Sequence, residues 1–367
     1  MQKLFDAHAH HLFDMPIQEA IEIFQKEREL LGVEKFALMS IPNDCDAEMK
    51  FHLDVMQNIR MLFIKYSFPG VAYAFAGLEH PVNVAEMDDQ TLSKMYVEQA
   101  KEYQAAGYDG MKMLEGYPSC RKVMKRELCH SVYDEYYAYL EENRVPITIH
   151  IGNPEANWDI SRADAHAIKM GRVYDHTYPT LKQLQNETFA VLDKFPKLRM
   201  ALAHFGFLNY NIDDAKRWLD SYENTLLDLT PGGDQLLIMH ENKEEWLKFF
   251  ETYQDRIIYG TDLYAFPLNP VGDDWKTMTT RRPYFVKQFL DTDDEHVYIK
   301  TKFRGIKVPE GIRQKIYWEN AQREYGEPKI IDVEYLRGKA KTLLSVPNKR
   351  GNYADSDLKY MLSILEK

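Results

Sequence analysis

Short runs of aliphatic, β-branched and aromatic residues alternate along the chain with longer stretches whose apolar positions recur every three to four residues. The short runs predict strands over Leu4–His8, Lys35–Ile41, Val71–Gly77 and Asp109–Leu114, then Pro146–Ile151, Leu198–His204, Thr225–Leu229 and Arg256–Thr261. The longer stretches predict helices over Ile17–Leu31, Thr91–Ala105, Leu128–Asn143, Thr180–Lys194, Asp213–Tyr222, Lys243–Tyr253 and Arg282–Leu290. Gly32, Gly107 and Pro196 each stand between a helix and the following strand, where a left-handed turn or a stop is needed. Eight β–α units in roughly 300 residues fit a (β/α)₈ TIM barrel of the α/β class. An open doubly wound sheet is the alternative, but no G-x-G-x-x-G follows a strand and opens a helix, so its dinucleotide-binding form has little support.

Three stretches depart from this rhythm. The segment from Gly152 to Pro179 is long, irregular and aromatic, as binding loops are. Leu263–Thr280 is a second irregular stretch, and both would lie at the C-terminal face of the barrel, where such folds keep their chemistry. Residues 327–367 form a C-terminal helical extension with helices expected at Val333–Leu343 and Asp355–Glu366. The division is a barrel over 1–326 and an appendage over 327–367, packed on the barrel or on a neighbouring subunit, which leaves a homo-oligomer open.

Composition narrows the functional classes. Hydrophobic residues make up 45% and charged residues 28% of 367 positions, a globular balance. No apolar run approaches the ~18 residues needed to cross a bilayer, and MQKLFDAHAHH does not read as a secretory leader. A net charge of −11 argues against nucleic acid as a partner. Cys45, Cys120 and Cys129 form no C-x-x-C pair, which fits thiols without chemistry in a reducing cytoplasm. A small-molecule substrate is the expected partner, with no membrane role.

The chemistry lies at the strand ends. In Asp6-Ala-His8-Ala-His10, strand periodicity points His8 and His10 to one side, so both can reach one ion. Asp6 is placed to orient a histidine or to secure the strand end. His150 closes the fifth strand, His204 the sixth and Asp262 the eighth, while Lys112 lies within the fourth. Any one of these has an ordinary structural reading: a satisfied histidine, a capping aspartate, a snorkelling lysine. Together they are hard to explain without a cation, because burying so many ionisable groups unpaired is costly.

At these residues the chain resembles the amidohydrolase superfamily, and within it the amidohydrolase-2 group. That group includes aminocarboxymuconate-semialdehyde decarboxylase, resorcylate-type decarboxylases and pyrone-dicarboxylate lactonase. The markers are DAHAHH, GMK, ITIHIG, ALAHFGF, LDLTPG, IIYGTD and NAQREYG, spread over about residues 4–326. The resemblance implies a metallo-dependent barrel in which His8, His10, His150 and Asp262 hold one divalent transition metal, zinc first and manganese as the alternative. Asp262 and His204 would then be catalytic. Lys112 and His204 would instead hold a second metal if Lys112 were carboxylated, or Lys112 would bind a substrate anion.

The implied activity is hydrolysis of a small ester, lactone or amide by an activated water. The alternatives are non-oxidative decarboxylation of a small aromatic or unsaturated acid, and a barrel that binds without catalysis. Candidate substrate contacts are Glu115, Tyr117, Trp158, Asp175, His176, Tyr264, Arg281 and Arg282, the arginines because a guanidinium pairs bidentately with a carboxylate.

Overall fold

The computed structural model describes residues 2–11, 15–45, 48–233, 235–264, 275–347 and 349–367. The side chains of Tyr264 and of residues 275–279 lie outside that description. Eight parallel strands wind into a barrel with helices between them: β1 (Leu4–His10), β2 (Val33–Met39), β3 (Ala72–Gly77), β4 (Gly110–Gly116), β5 (Ile147–Ile151), β6 (Met200–Leu202), β7 (Thr225–Asp228) and β8 (Ile257–Ile258). A short continuation of the eighth strand, β9 (Leu263–Tyr264), pairs with β1, so the sheet runs β8-β7-β6-β5-β4-β3-β2-β1-β9. Between β8 and β9 the Ala7 N–H donates to Tyr259 O at 3.0 Å and the Asp262 N–H donates to His8 O at 2.9 Å, which closes the ring.

Two apolar layers follow from strand alternation. One face of the strands supplies Phe5, Ala7, Ala37, Met39, Tyr73, Phe75, Ala201, Leu226 and Ile258 to a small cluster inside the barrel. The other face builds the larger core against the helices. Trp318 and Tyr325 close the N-terminal end of the barrel, their rings 6.0 and 5.8 Å from Phe5. The opposite end opens into a cavity of about 1490 Å³.

Most predicted elements are present, with four informative differences. The eighth strand, expected over Arg256–Thr261, is shorter, Ile257–Ile258, and strand pairing resumes at Leu263–Tyr264, beyond Asp262 with its left-handed backbone (φ 53°). Strand six stops at Leu202, and His204 to Phe207 form a left-handed run with φ between 50° and 59°. That conformation costs about 1–2 kcal/mol for each non-glycine residue. A helix over Gln57–Ser67 has no counterpart in the sequence reading. The helix expected from Arg282 begins earlier, at Trp275.

In the C-terminal stretch, helices Val333–Leu344 and Ala354–Leu365 pack on each other and against barrel helices Gln57–Ser67 and Ile17–Leu31. Asp357 accepts the Ile17 backbone N–H at 2.9 Å and pairs with Arg60 at 3.0 Å. No described helix is long and apolar enough to cross a membrane.

Candidate metal centre

The cavity floor is made by strand ends. His10, Lys112, His150, His204 and Asp262 all line it, and His8 lies fully buried beneath them. One ligand atom from each of His8, His10 and Asp262 can be chosen so that all three lie within 4.8 Å of one another. The individual approaches are 3.0 Å between His8 Nε2 and His10 Nε2, and 3.2 Å between His10 Nε2 and Asp262 Oδ1. Beside this trio, His150 Nδ1 faces His204 Nε2 at 3.2 Å, and the His8 and His204 rings lie 5.6 Å apart.

Each histidine is fixed from behind. His8 Nδ1 lies 2.7 Å from Asp228 Oδ2, His10 Nδ1 2.7 Å from Met39 O, His150 Nε2 3.0 Å from Gly152 O, and His204 Nδ1 3.1 Å from Thr230 O. A carbonyl or carboxylate oxygen only accepts, so in each ring the outward nitrogen carries the proton. In the neutral rings of His8, His150 and His204 the inward nitrogens are therefore bare lone pairs, and those of His150 and His204 face each other at 3.2 Å. Two bare nitrogens in contact repel unless a cation lies between them. Neutral imidazoles oriented by outer oxygens, with one carboxylate added, form a donor set suited to a divalent transition metal.

Local backbone serves this arrangement. A Cβ on Gly232 would stand 2.4 Å from His204 Cγ, so the loop after β7 can lie against that ring only through glycine. A Cβ on Gly260 would meet Thr230 Oγ1 at 2.3 Å and His8 Cβ at 3.0 Å.

Electrostatics favour the metal-binding protonation states. Burial holds His8 and His150 well below the ordinary imidazole range; Lys112 and His10 add to the effect at His8, His204 and Lys112 at His150. Burial also lowers His204, against the pull of Asp262 and Asp228. At Asp262 burial pushes the carboxyl up, but the Arg282 guanidinium and His10 outweigh it and hold the group well below the carboxylate range. Lys112 is brought down to about 8 by burial, opposed by Asp228, Asp262 and Glu115. Its Nζ lies 3.3 Å from His8 Nε2.

The predicted contacts divide. Tyr117 lines the cavity, with its ring 5.4 Å from His150. Arg282 also lines it, but its guanidinium is bonded to the Asp262 carboxylate. Glu115 is not a cavity residue: three positions from Lys112 along β4, it falls on the opposite face and pairs with His80 at 2.5 Å. Trp158 donates to Pro179 O at 3.0 Å within its own loop, and neither it nor the exposed Asp175, His176 and Arg281 lines the cavity. Asp175 caps Thr177 instead. The Tyr264 side chain lies outside the described residues.

Asp6 orients no histidine ring. Its carboxylate secures the strand end, accepting the His8 backbone N–H at 3.2 Å and the Thr261 hydroxyl at 2.5 Å. Burial raises that carboxyl to about 7. The carboxylate that holds His8 is Asp228, which sequence reasoning missed. Its signals were an acid inside the apolar run Thr225–Leu229, at the end of a barrel strand, and its place in the LDLTPG marker.

Comparison with known proteins agrees with this geometry. The Amidohydrolase family (Amidohydro_2) matches residues 6–326. No curated protein sequence matches the chain. Among solved structures, the uncharacterized TIM-barrel protein Bb4693 from Bordetella bronchiseptica is similar, with TM-score 0.55 and 13% identity over 88% of this chain and 98% of that one. The 4-oxalomesaconate hydratase LigJ from Rhodopseudomonas palustris gives TM-score 0.52 and 14% identity, covering 94% of this chain and 100% of its own. A 2,6-dihydroxybenzoate decarboxylase complexed with 2,6-dihydroxybenzoate gives TM-score 0.50 and 14% identity over 88% and 98%. At such identities the likeness speaks for the fold alone. The family match spans nearly the whole barrel, from the first strand to its closing helix, and by it the chain belongs to the amidohydrolase family, in the amidohydrolase-2 group.

Proposed function

We propose that this protein is a metal-dependent hydrolase of a small ester, lactone or amide, working with one divalent ion held by His8, His10 and Asp262, with His150 as the fourth donor. The observation that carries the reading is the grouping of the His8 and His10 ring nitrogens with the Asp262 carboxylate within 4.8 Å at the open end of the barrel, with the His150–His204 pair beside it. A divalent ion in such a site acts as a Lewis acid and makes water acidic enough to ionise near neutral pH.

The chain's own residues divide the remaining work. Asp262, held ionised by Arg282, is a weak proton acceptor and suits the ligand role. His204 is the better acceptor: its ring is neutral, its Nδ1–H is committed to Thr230 O, and Nε2, outside the proposed ligand set although it faces His150 Nδ1 at 3.2 Å, would take a proton from water and return it to the leaving group. Tyr117, on the same cavity wall, would donate to a substrate oxygen.

A second reading, non-oxidative decarboxylation on the same site, is favoured by one observation. Lys112 is a buried amine beside His8 on the cavity floor, and as an ammonium it would anchor a carboxylate. Product analysis separates the two: water added across a bond, or carbon dioxide released without it.

The first test is metal per chain in protein purified without added metal or chelator, compared with His8→Ala and Lys112→Ala. About one equivalent, lost in His8→Ala and kept in Lys112→Ala, is expected. Two equivalents that fall when Lys112 is removed would replace the single-metal site with a bridged pair. No metal retained, and none taken up from micromolar zinc or manganese, would sink the proposal.

A further inference from the structure

Five arginines line the cavity, and four are matched with carboxylates. Arg60 pairs with Asp357 at 3.0 Å, Arg350 with Asp44 at 2.6 and 3.0 Å, Arg162 with Glu155 at 3.7 Å, and Arg282 with Asp262. The fifth, Arg172, has no carboxylate partner among the described residues, although it is half-buried. The acids of the cavity wall are already engaged. Asp44 and Asp262 hold the arginines just named, Asp54 lies 3.8 Å from Arg60 and accepts the Met56 N–H, and Asp164 accepts the Ala167 N–H.

Arg172 is also held in place. It belongs to the long loop after β5, and its backbone N–H donates to Ala167 O at 2.8 Å, just beyond the short helix Ala165–Lys169. Two residues on, Tyr174 is buried; its backbone N–H donates to Asn157 O at 2.8 Å and its hydroxyl accepts from Asn153 at 2.7 Å. Asn153 and Asn157 line the cavity themselves. The guanidinium therefore projects from a backbone fixed on both sides. A planar, permanently charged fork with no carboxylate partner among the described residues, in a partly desolvated wall, is matched to a carboxylate.

We infer that Arg172 forms a distal anion subsite, which takes a carboxylate of the substrate remote from the reacting bond. The inference deepens the proposed function: it rests on that reading only for which end of the substrate reacts. A substrate with two separated functional groups follows, one for the histidine cluster and one for Arg172.

The test is calorimetric titration of the protein as purified with α,ω-dicarboxylates from succinate to suberate, each against the monocarboxylate of equal length. Wild type is expected to bind at least one dicarboxylate about tenfold more tightly than its monocarboxylate. Arg172→Ala should abolish that preference while leaving metal content and monocarboxylate affinity unchanged. Arg172→Lys, which keeps the charge and loses the fork, should retain part of it. Absence of any dicarboxylate preference in wild type, or its survival in Arg172→Ala, overturns the subsite. Failure of the metal reading shows separately, as wild-type protein without metal, and leaves this binding comparison intact.

Discussion

Asp228 shows how much one side chain settles in this site. Its Oδ2 takes the His8 Nδ1–H at 2.7 Å, while Oδ1 accepts the backbone N–H of His204 at 3.1 Å and of Thr230 at 2.8 Å. One carboxylate thus fixes the tautomer of one histidine and the backbone position of another. Asp228→Asn is close to isosteric, yet its amide cannot satisfy all three donors. With the carbonyl kept on the backbone N–H groups, the NH₂ faces the His8 Nδ1–H, and the ring escapes only by moving its proton to Nε2. That removes the lone pair from the metal side. We expect Asp228→Asn to bind zinc or manganese about 10–100-fold more weakly, in competition with a chromogenic chelator, with an unchanged circular dichroism spectrum. Wild-type affinity in that variant would mean that Asp228 does not set the tautomer of His8.

At the scale of elements, the C-terminal extension acts as a strut for the barrel helices beneath it. Asp357, in the last helix, accepts the first backbone N–H of helix Ile17–Leu31 and pairs with Arg60 of helix Gln57–Ser67, while Tyr360 stacks edge-on to Phe63 at 6.0 Å. Arg60 and Asp357 are both buried. Removing the acid leaves a buried guanidinium with, among the described residues, the more distant Asp54 at 3.8 Å, a loss on the order of 3 kcal/mol. Denaturant unfolding should show that drop in Asp357→Ala and a smaller one in Asp357→Asn, which keeps an acceptor for Ile17. A change under about 0.5 kcal/mol in both would show that the tie carries no stability. The same strut explains which helices were legible. Ile17–Leu31 and Leu181–Lys194 read from their apolar stripes, and the structure adds a Thr180–Gln183 capping box to the second. Helix Gln57–Ser67 has nine consecutive buried residues, Gln57 to Lys65, because the extension covers the side that would otherwise meet water. A helix buried all round has no polar face, so its periodicity vanishes from the sequence.

For the molecule as a whole, barrel topology decides what could be read in advance. His8, His10, His150, His204 and Asp262 were legible because each follows an apolar run, and a closed ring of parallel strands brings such ends together wherever they fall in sequence. Loop contacts were not, since no period governs where Trp158, Asp175 or His176 points. The same topology makes the proposed metal a structural matter as well as a catalytic one. Its donors come from β1, β5 and the β8–β9 turn, and β8–β9 is where the ring closes through only two short pairings. An ion bound at His8, His10 and Asp262 would cross that seam and bind the native state alone. Such an ion at a hundredfold its dissociation constant stabilises by about 2.7 kcal/mol. In a domain of this size that amounts to a melting-temperature shift on the order of 5 °C. Dialysis against a strong chelator should therefore lower the melting temperature by that amount, and readdition of zinc or manganese should restore it. His8→Ala should melt at the lower temperature and respond to neither treatment. If the chelated wild type melts where the untreated protein does, the seam is held by its backbone pairings alone, and the ion, where it binds, serves only the chemistry.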